Sequence, residues 1–293
     1  MKKLFLGILV CLSVSAKAQL RLPQPSSAAS VSQTVGTTDF TVKYSRPNVR
    51  GREIFGSLIA YDKVWRTGAN AATQISFSND ITLGGQKVAA GTYSVFSIPT
   101  KEDWTLILNK DVTASEQSYS KEKDVLRTSV KALTIPKTES FSIDFSDITD
   151  TSANLNIYWA DKKVSAPIFI ETAKIAENAI TKAVNDHANT MRAAAEFYLS
   201  KGKFEQALTA INTSMTGGEN VRNVWVKAQV LSKLGNYTEA FPLAQKALAL
   251  LNADATNSFG FLKDAIEKGV AEYKTKLPVA APYTPAKKKK ASL

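Results

Sequence analysis

Apolar and polar residues alternate along residues 40–44, with Phe40, Val42 and Tyr44 set against Thr41 and Lys43. A period of two puts each set on its own face, which predicts a half-buried strand. Arg46-Pro47-Asn48-Val49-Arg50-Gly51 ends it, since proline offers no ladder donor and glycine permits positive φ. A long connection follows over residues 54–70. Alternation returns at 73–78, with Ile75 and Phe77 on one face. Gly84-Gly85, between Ile81-Thr82-Leu83 and Gln86-Lys87-Val88, predicts a tight hairpin. Ala90-Gly91 turns the chain into a strand over 92–98, which Pro99 stops. There Tyr93, Val95 and Ser97 oppose Ser94, Phe96 and Ile98. Further strands are predicted at 104–109, 125–135, 141–145, 153–159 and 163–170, with a polar loop at 110–124. Short strands joined by turns, with no helix between them, predict an antiparallel β-sandwich. Phe77, Phe96, Leu106, Phe145 and Ile157 are its expected filling.

After Ile170 the period becomes helical, and Ile175, Ala179 and Ala183 share one face. Two stretches then align, 195–208 and 228–241. Their anchors Gly202/Gly235, Phe204/Tyr237 and Ala207/Ala240 share one offset of thirty-three positions. This resembles the tetratricopeptide repeat, one residue short of its usual length. The glycine ends a helix, the aromatic fills the turn, and the alanine lets two helices approach. Pro242 departs from the pattern early in a helix, where few donors are lost. Two repeats cannot hide their own faces, so helices at 170–185 and 257–274 are expected to cap them. The architecture expected is β plus α in two domains: an antiparallel β-sandwich followed by a tetratricopeptide-like helical domain.

The ends read differently. Residues 1–18 carry two early lysines, an apolar run from Leu4 to Val14, and Ala16-Lys17-Ala18. That is a signal-peptide pattern, with a run too short to span a bilayer. Val10 before Cys11 fits a lipoprotein site poorly, so the expected mature form is periplasmic or secreted, with no stable membrane span. Cys11 is the only cysteine, so export leaves none for disulfides, thiol nucleophiles or metal sites. Residues 19–35, rich in Ser, Pro, Gln and Ala, read as an extended leader. The sandwich is placed at 36–170, the helical domain at 171–277 and a disordered basic tail at 278–293. The formal charge of +11 falls to +4 without the three lysines of the signal and the four of the tail. That leaves no nucleic-acid footprint.

Candidate chemistry is sparse. His187 is the single histidine, which rules out a paired-histidine metal site, and no Gly-x-Ser-x-Gly elbow accompanies it. There is no Walker loop and no dinucleotide fingerprint, so no cofactor is expected. Glu53, Asp62, Asp80, Asp103 and Asp111 lie near loops, but nothing marks two of them as a pair. The segment 61–70 is denser: Tyr61, Trp65, Arg66, Gly68 and Asn70 stand close together, with Arg46 and Arg52 upstream. Arginine forks bind carboxylate or phosphate bidentately, and aromatic faces stack on sugars. Arg46, Arg52, Trp65, Arg66 and Asn70 are therefore the ligand-binding candidates, for an anion or a glycan. The opposing reading makes them an internal brace for a long loop with few backbone partners of its own.

The runs Tyr44-Ser45-Arg46-Pro47-Asn48-Val49-Arg50-Gly51 and Val64-Trp65-Arg66-Thr67-Gly68-Ala69-Asn70 resemble a bacterial exported family, domain of unknown function 2911. So do Ala90-Gly91-Thr92-Tyr93-Ser94-Val95, Trp104-Thr105-Leu106-Ile107-Leu108-Asn109-Lys110 and Asp124-Val125-Leu126-Arg127. The likeness covers about residues 35–170 and implies an exported β-domain, with no established activity and no catalytic residue to carry over. One departure is the loop 110–124, which in relatives often holds more aromatic and glycine residues. The leading expectation is an exported, non-enzymatic binding or scaffolding protein, with a ligand on the sandwich and a protein partner on the helical repeats. The alternatives are an envelope glycan or ester hydrolase using loop carboxylates, and a purely structural envelope component.

Overall fold

Nine antiparallel strands form one continuous ladder in the computed structural model, which describes residues 22–278. They are β1 (Ser27–Val35), β2 (Thr38–Arg46), β3 (Thr73–Phe77), β4 (Ile81–Leu83), β5 (Gln86–Val88), β6 (Gly91–Pro99), β7 (Asp103–Asn109), β8 (Asp124–Ser146) and β9 (Ser152–Phe169). Their order is β1-β2-β3-β6-β7-β8-β9-β4-β5. The two long strands make the corner. The first part of β8 pairs with β7, from Asp124 to Lys131, and its remainder pairs with β9, from Ala132 to Ser146. One strand thus serves two sheets, which fold over a shared core as a sandwich.

Several strands differ in extent from the sequence pattern. The segments 125–135 and 141–145 are one strand, as are 153–159 and 163–170. Pro136 lies where the β8–β9 register shifts, between Thr134 and Thr138. A bulge accommodates a residue with no ladder donor and bends the strand instead of ending it. On β9 the kink falls at Ala160, whose φ is 52°. Part of the expected leader is also a strand. β1 pairs with β2 from Ser27↔Arg46 to Val35↔Thr38, leaving a two-residue turn with Gly36 at φ 56°. Only Val35 of β1 is fully buried, so its alternation is faint beneath a polar composition.

The sandwich is filled by large side chains, among them Trp104, Trp159, Phe40, Phe141, Ile75, Leu106 and Ile157. Each such group stabilises the fold by roughly 1.5–3 kcal/mol relative to exposure. Phe77, Leu106 and Ile157 lie where the sequence places them, and Phe145 is partly buried at the same core. Phe96 does not. It lies with Ala72, Ile107 and Ala114 in a separate small core that also takes in Tyr119. Strand alternation is the reason: Val95 faces the sandwich, so Phe96 must face away. The loop 110–124 covers it.

The chain divides into two units after Ile175. The helices are α1 (Thr172–Ser200), α2 (Phe204–Met215), α3 (Val221–Lys233), α4 (Tyr237–Ala253) and α5 (Lys263–Thr275). Gly202 and Gly235, with φ of 70° and 77°, end α1 and α3, a left-handed conformation glycine adopts without strain. Ala207 and Ala240, one turn into the following helices, are completely buried. Asn220 and Asn223 form a reciprocal capping box at the start of α3. α5 sets Gly269 against the Trp225 ring, where a side chain would collide. The expected first capping helix is the opening part of α1, which runs on to Ser200, and residues 177–187 of it are exposed. Of the second, a 3₁₀ turn at Gly260–Leu262 precedes α5, so the regular helix starts later than expected. No helix among the described residues is long and apolar enough to cross a membrane. The expected signal peptide, and the expected tail beyond residue 278, lie outside the described residues.

Candidate functional site

The crossover from β2 to β3 carries no regular strand or helix over residues 47–72. Its backbone is tied down piecemeal. Trp65 and Ser97 exchange both N–H···O bonds, at 2.8 and 2.9 Å, beyond the end of β3. Asn48 bridges Ser140 on β8, and Val49 N–H donates to Glu139 O. Four non-glycine residues here have positive φ: Arg50, Asp62, Thr67 and Asn70. Aspartate and asparagine tolerate this conformation, but a β-branched residue does not adopt it without strain. Thr67, at φ 51°, is fully buried and shares a 2.5 Å hydroxyl hydrogen bond with Ser97. Strain of this sort persists only where the surroundings over-determine it, and it concentrates at functional sites.

Trp65 supplies much of that determination. It is 2 % exposed and sits among Phe55, Trp104, Phe141 and Trp159. Three of its four ring contacts are edge-on, worth about 0.5–1.5 kcal/mol each beyond burial. Its indole N–H donates to Gly68 O at 3.1 Å. The expectation of Trp65 as a stacking face for a sugar is therefore corrected: both the ring and its polar handle are used internally.

The arginines are arranged otherwise. Arg46 Nε donates to Phe141 O at 2.9 Å. Arg50 Nη2 donates to Pro25 O at 2.9 Å. Arg52 donates from Nε to Val49 O at 3.0 Å and from Nη2 to Asn48 O at 2.6 Å. These acceptors are neutral carbonyls, which fix a guanidinium without cancelling its charge. Among the described residues, none of the three side chains pairs with a carboxylate. Arg66 differs. Its Nη1 donates to Asn70 O at 2.8 Å, and its Nε lies 3.2 Å from Glu116 Oε1 as an ion pair off the hydrogen-bond line. Arg66 backbone N–H donates to the same Glu116 oxygen at 3.1 Å. Asn70 donates its amide to Ser45 Oγ at 3.2 Å and to Ser26 O at 3.3 Å, joining the crossover to β2 and to the residue before β1.

The groups surround open depressions. One of about 290 Å³ is lined by Arg50, Arg52, Arg66 and Glu116, with Trp65 and Trp159 contributing beneath. A second, of about 400 Å³, takes Arg46 and also Arg50. Of the predicted residues, Arg52, Trp65 and Arg66 line the first depression, Arg46 lines the second, and Asn70 serves the loop and lines neither.

Sequence reasoning missed Glu116 and its supports. The loop 110–124 is anchored by Asp124, whose Oδ2 accepts from Tyr119 at 2.6 Å and from Arg127 Nη1 at 2.7 Å, while Asn109 donates to Oδ1 at 2.8 Å. Burial, and then the bond to the Asp124 carboxylate, push the Tyr119 phenol up to about 12. Asp111 is held down at about 2, chiefly by the hydrogen bond from Lys123 and next by Thr113. Only the aromatic Tyr119 near Asp124-Val125-Leu126-Arg127 hinted at this latch; nothing in the sequence linked Glu116 to Arg66.

Of the loop carboxylates, Asp80 accepts from Ala90 N–H, and Asp111 is engaged as above. Glu53 lines a larger cleft near Arg52. His187 lies on the exposed part of α1. Among the described residues no group of three or more His, Cys, Asp or Glu converges on a metal-sized site. A family model described as "Protein of unknown function (DUF2911)" matches residues 26–168. Comparison with curated proteins and with solved structures returns no match.

Proposed function

We propose, with residues 26–168 belonging to the DUF2911 family, that this is an exported, non-enzymatic binding or scaffolding protein. Its β unit takes an anionic group in the depression bordered by Arg50, Arg52 and Arg66. One observation carries the reading: guanidinium groups held by neutral carbonyls at the rim of an open depression, whose lining among the described residues holds a single carboxylate, Glu116. Anchoring removes the side-chain entropy that a free arginine would lose on binding, while leaving its charge available. Support from the crossover's strain is of the same kind, since a loop held this firmly presents its rim in one geometry. Brace and site are not exclusive here, because the same carbonyls that tie the loop also aim the charges.

The two helical hairpins, with their matched Gly202 and Gly235 turns, support a tetratricopeptide-like module that contacts a protein partner. The export assignment rests on the sequence of residues 1–18. The β-unit reading is tested by titrating the protein with D-galacturonate while following arginine Nε–Hε signals by NMR. The Arg52 and Arg66 signals are expected to move saturably; if only residues outside the depression respond, the reading is wrong.

A further inference from the structure

The anion depression is not isolated. It shares Arg50 with the depression that holds Arg46, and it shares Arg52 with a cleft of about 530 Å³. That cleft adds Lys101, Lys137 and Lys162. Lys162 Nζ donates to the Thr134 hydroxyl at 3.1 Å, again a neutral anchor. Among the described residues none of these lysines pairs with a carboxylate, although Glu53, Glu139 and Asp161 line the same cleft. The three hollows adjoin through these shared arginines, which link Arg46 to the lysines. Each alone is on the scale of a small-molecule site. Together they exceed what one monomeric anion fills.

We infer that these adjoining hollows form one binding track for an extended, hydroxyl-rich acidic polysaccharide of the uronate type. The inference rests on the proposed anion site and extends it in length and in ligand class. The track's own carboxylates decide the class. Glu53, Glu116, Glu139 and Asp161 are interspersed among its cations. A polymer such as DNA or polyphosphate carries an anion at every repeat and no backbone hydroxyl to place between them. Lying in this track, it would set some of those anions against carboxylates, a like-charge contact that opposes binding. A uronate chain also carries one carboxylate per sugar but sets neutral hydroxyls between them. Those hydroxyls donate to Glu and Asp while the sugar carboxylates meet Arg and Lys. Tyr61, half-buried in the lysine cleft, adds an aromatic side chain of the sort that packs against sugars.

The experiment is calorimetric titration of the full chain with D-galacturonate, hexagalacturonate, a neutral galactose hexamer and polyphosphate. It is repeated on Lys137→Gln/Lys162→Gln, whose thermal melt is recorded alongside. The hexamer is expected to bind about tenfold tighter than the monomer, because linked groups engage successive hollows. The lysine variant should lose most of that gain, with galacturonate affinity and melting temperature unchanged. A hexamer no tighter than the monomer, or a gain indifferent to the lysines, overturns the track and leaves the anion site standing. Equal binding of the neutral hexamer, or tighter binding of polyphosphate, overturns the polysaccharide class. Absence of binding by either uronate overturns both the track and the site beneath it.

Discussion

Arg66 and Glu116 lie fifty positions apart in sequence, and their meeting sets the polarity of the depression. Glu116→Gln keeps an oxygen for the Arg66 backbone N–H but removes the one opposing charge. In an open, water-filled depression a unit charge about 4 Å from a bound anion is worth on the order of 1 kcal/mol. Galacturonate should therefore bind about fivefold tighter to this variant, read by calorimetry. Weaker binding would mean that Glu116 takes part in recognition. Tyr119 provides a second test. Its phenol is raised to about 12 in the folded protein, first by burial and then by Asp124. The unfolded value is about 10. The folded value is the higher one, so the stability that this hydroxyl contributes is intact below pH 10 and is lost as pH rises towards 12. Tyr119→Phe should lower stability by about 1 kcal/mol at neutral pH and flatten that alkaline decline, as measured by denaturant melts. The sequence made the arginines legible because charge and type are local. It could not pair Arg66 with Glu116, since no spacing rule joins a crossover to a loop two strands away. Trp65 misled for a related reason: an aromatic beside an arginine reads equally as a stacking platform and as core.

Among the elements, the turns were the most legible. Gly84-Gly85, Gly202 and Gly235 each have positive φ and stand where the pattern put them. Strand ends were not, because Pro136 and Ala160 bend continuous strands through a bulge and a kink, and periodicity alone reads a bend as a break. Phe96 was placed on the wrong face even though the alternation of β6 was visible, since nothing local announced that the loop 110–124 covers an outer core. The helical turns allow a graded prediction. A Cβ at Gly202 meets nothing within 4 Å, so Gly202→Ala pays only for left-handed backbone, about 1–2 kcal/mol. Gly202→Asn should recover much of it, as asparagine tolerates that conformation. At Gly269 the obstacle is the Trp225 ring. There alanine should destabilise by about 1–3 kcal/mol through overpacking, and asparagine should do no better. Urea melts of the four variants check the contrast; rescue by asparagine at both sites would contradict it.

At the scale of the molecule, each unit has its own core. The sandwich closes around Trp104, Phe141 and Trp159, and the helices around Val224, Ala228, Ala240 and Ala244. A fragment of residues 22–175 is accordingly expected to unfold cooperatively by itself and to retain galacturonate binding, as judged by thermal melts and titration. A fragment with no cooperative transition would show that the cores are interdependent. The most direct test of the account concerns the charge at Arg52, which carbonyls fix at the wall shared by two hollows. A charged hydrogen bond is worth about 1.5–3 kcal/mol, so its loss corresponds to at least tenfold in affinity. Calorimetric titration of Arg52→Gln with hexagalacturonate should show that loss, with a melting temperature close to that of the parent. Undiminished binding, with a melting temperature that drops by many degrees, would contradict the account and leave Arg52 as a brace alone.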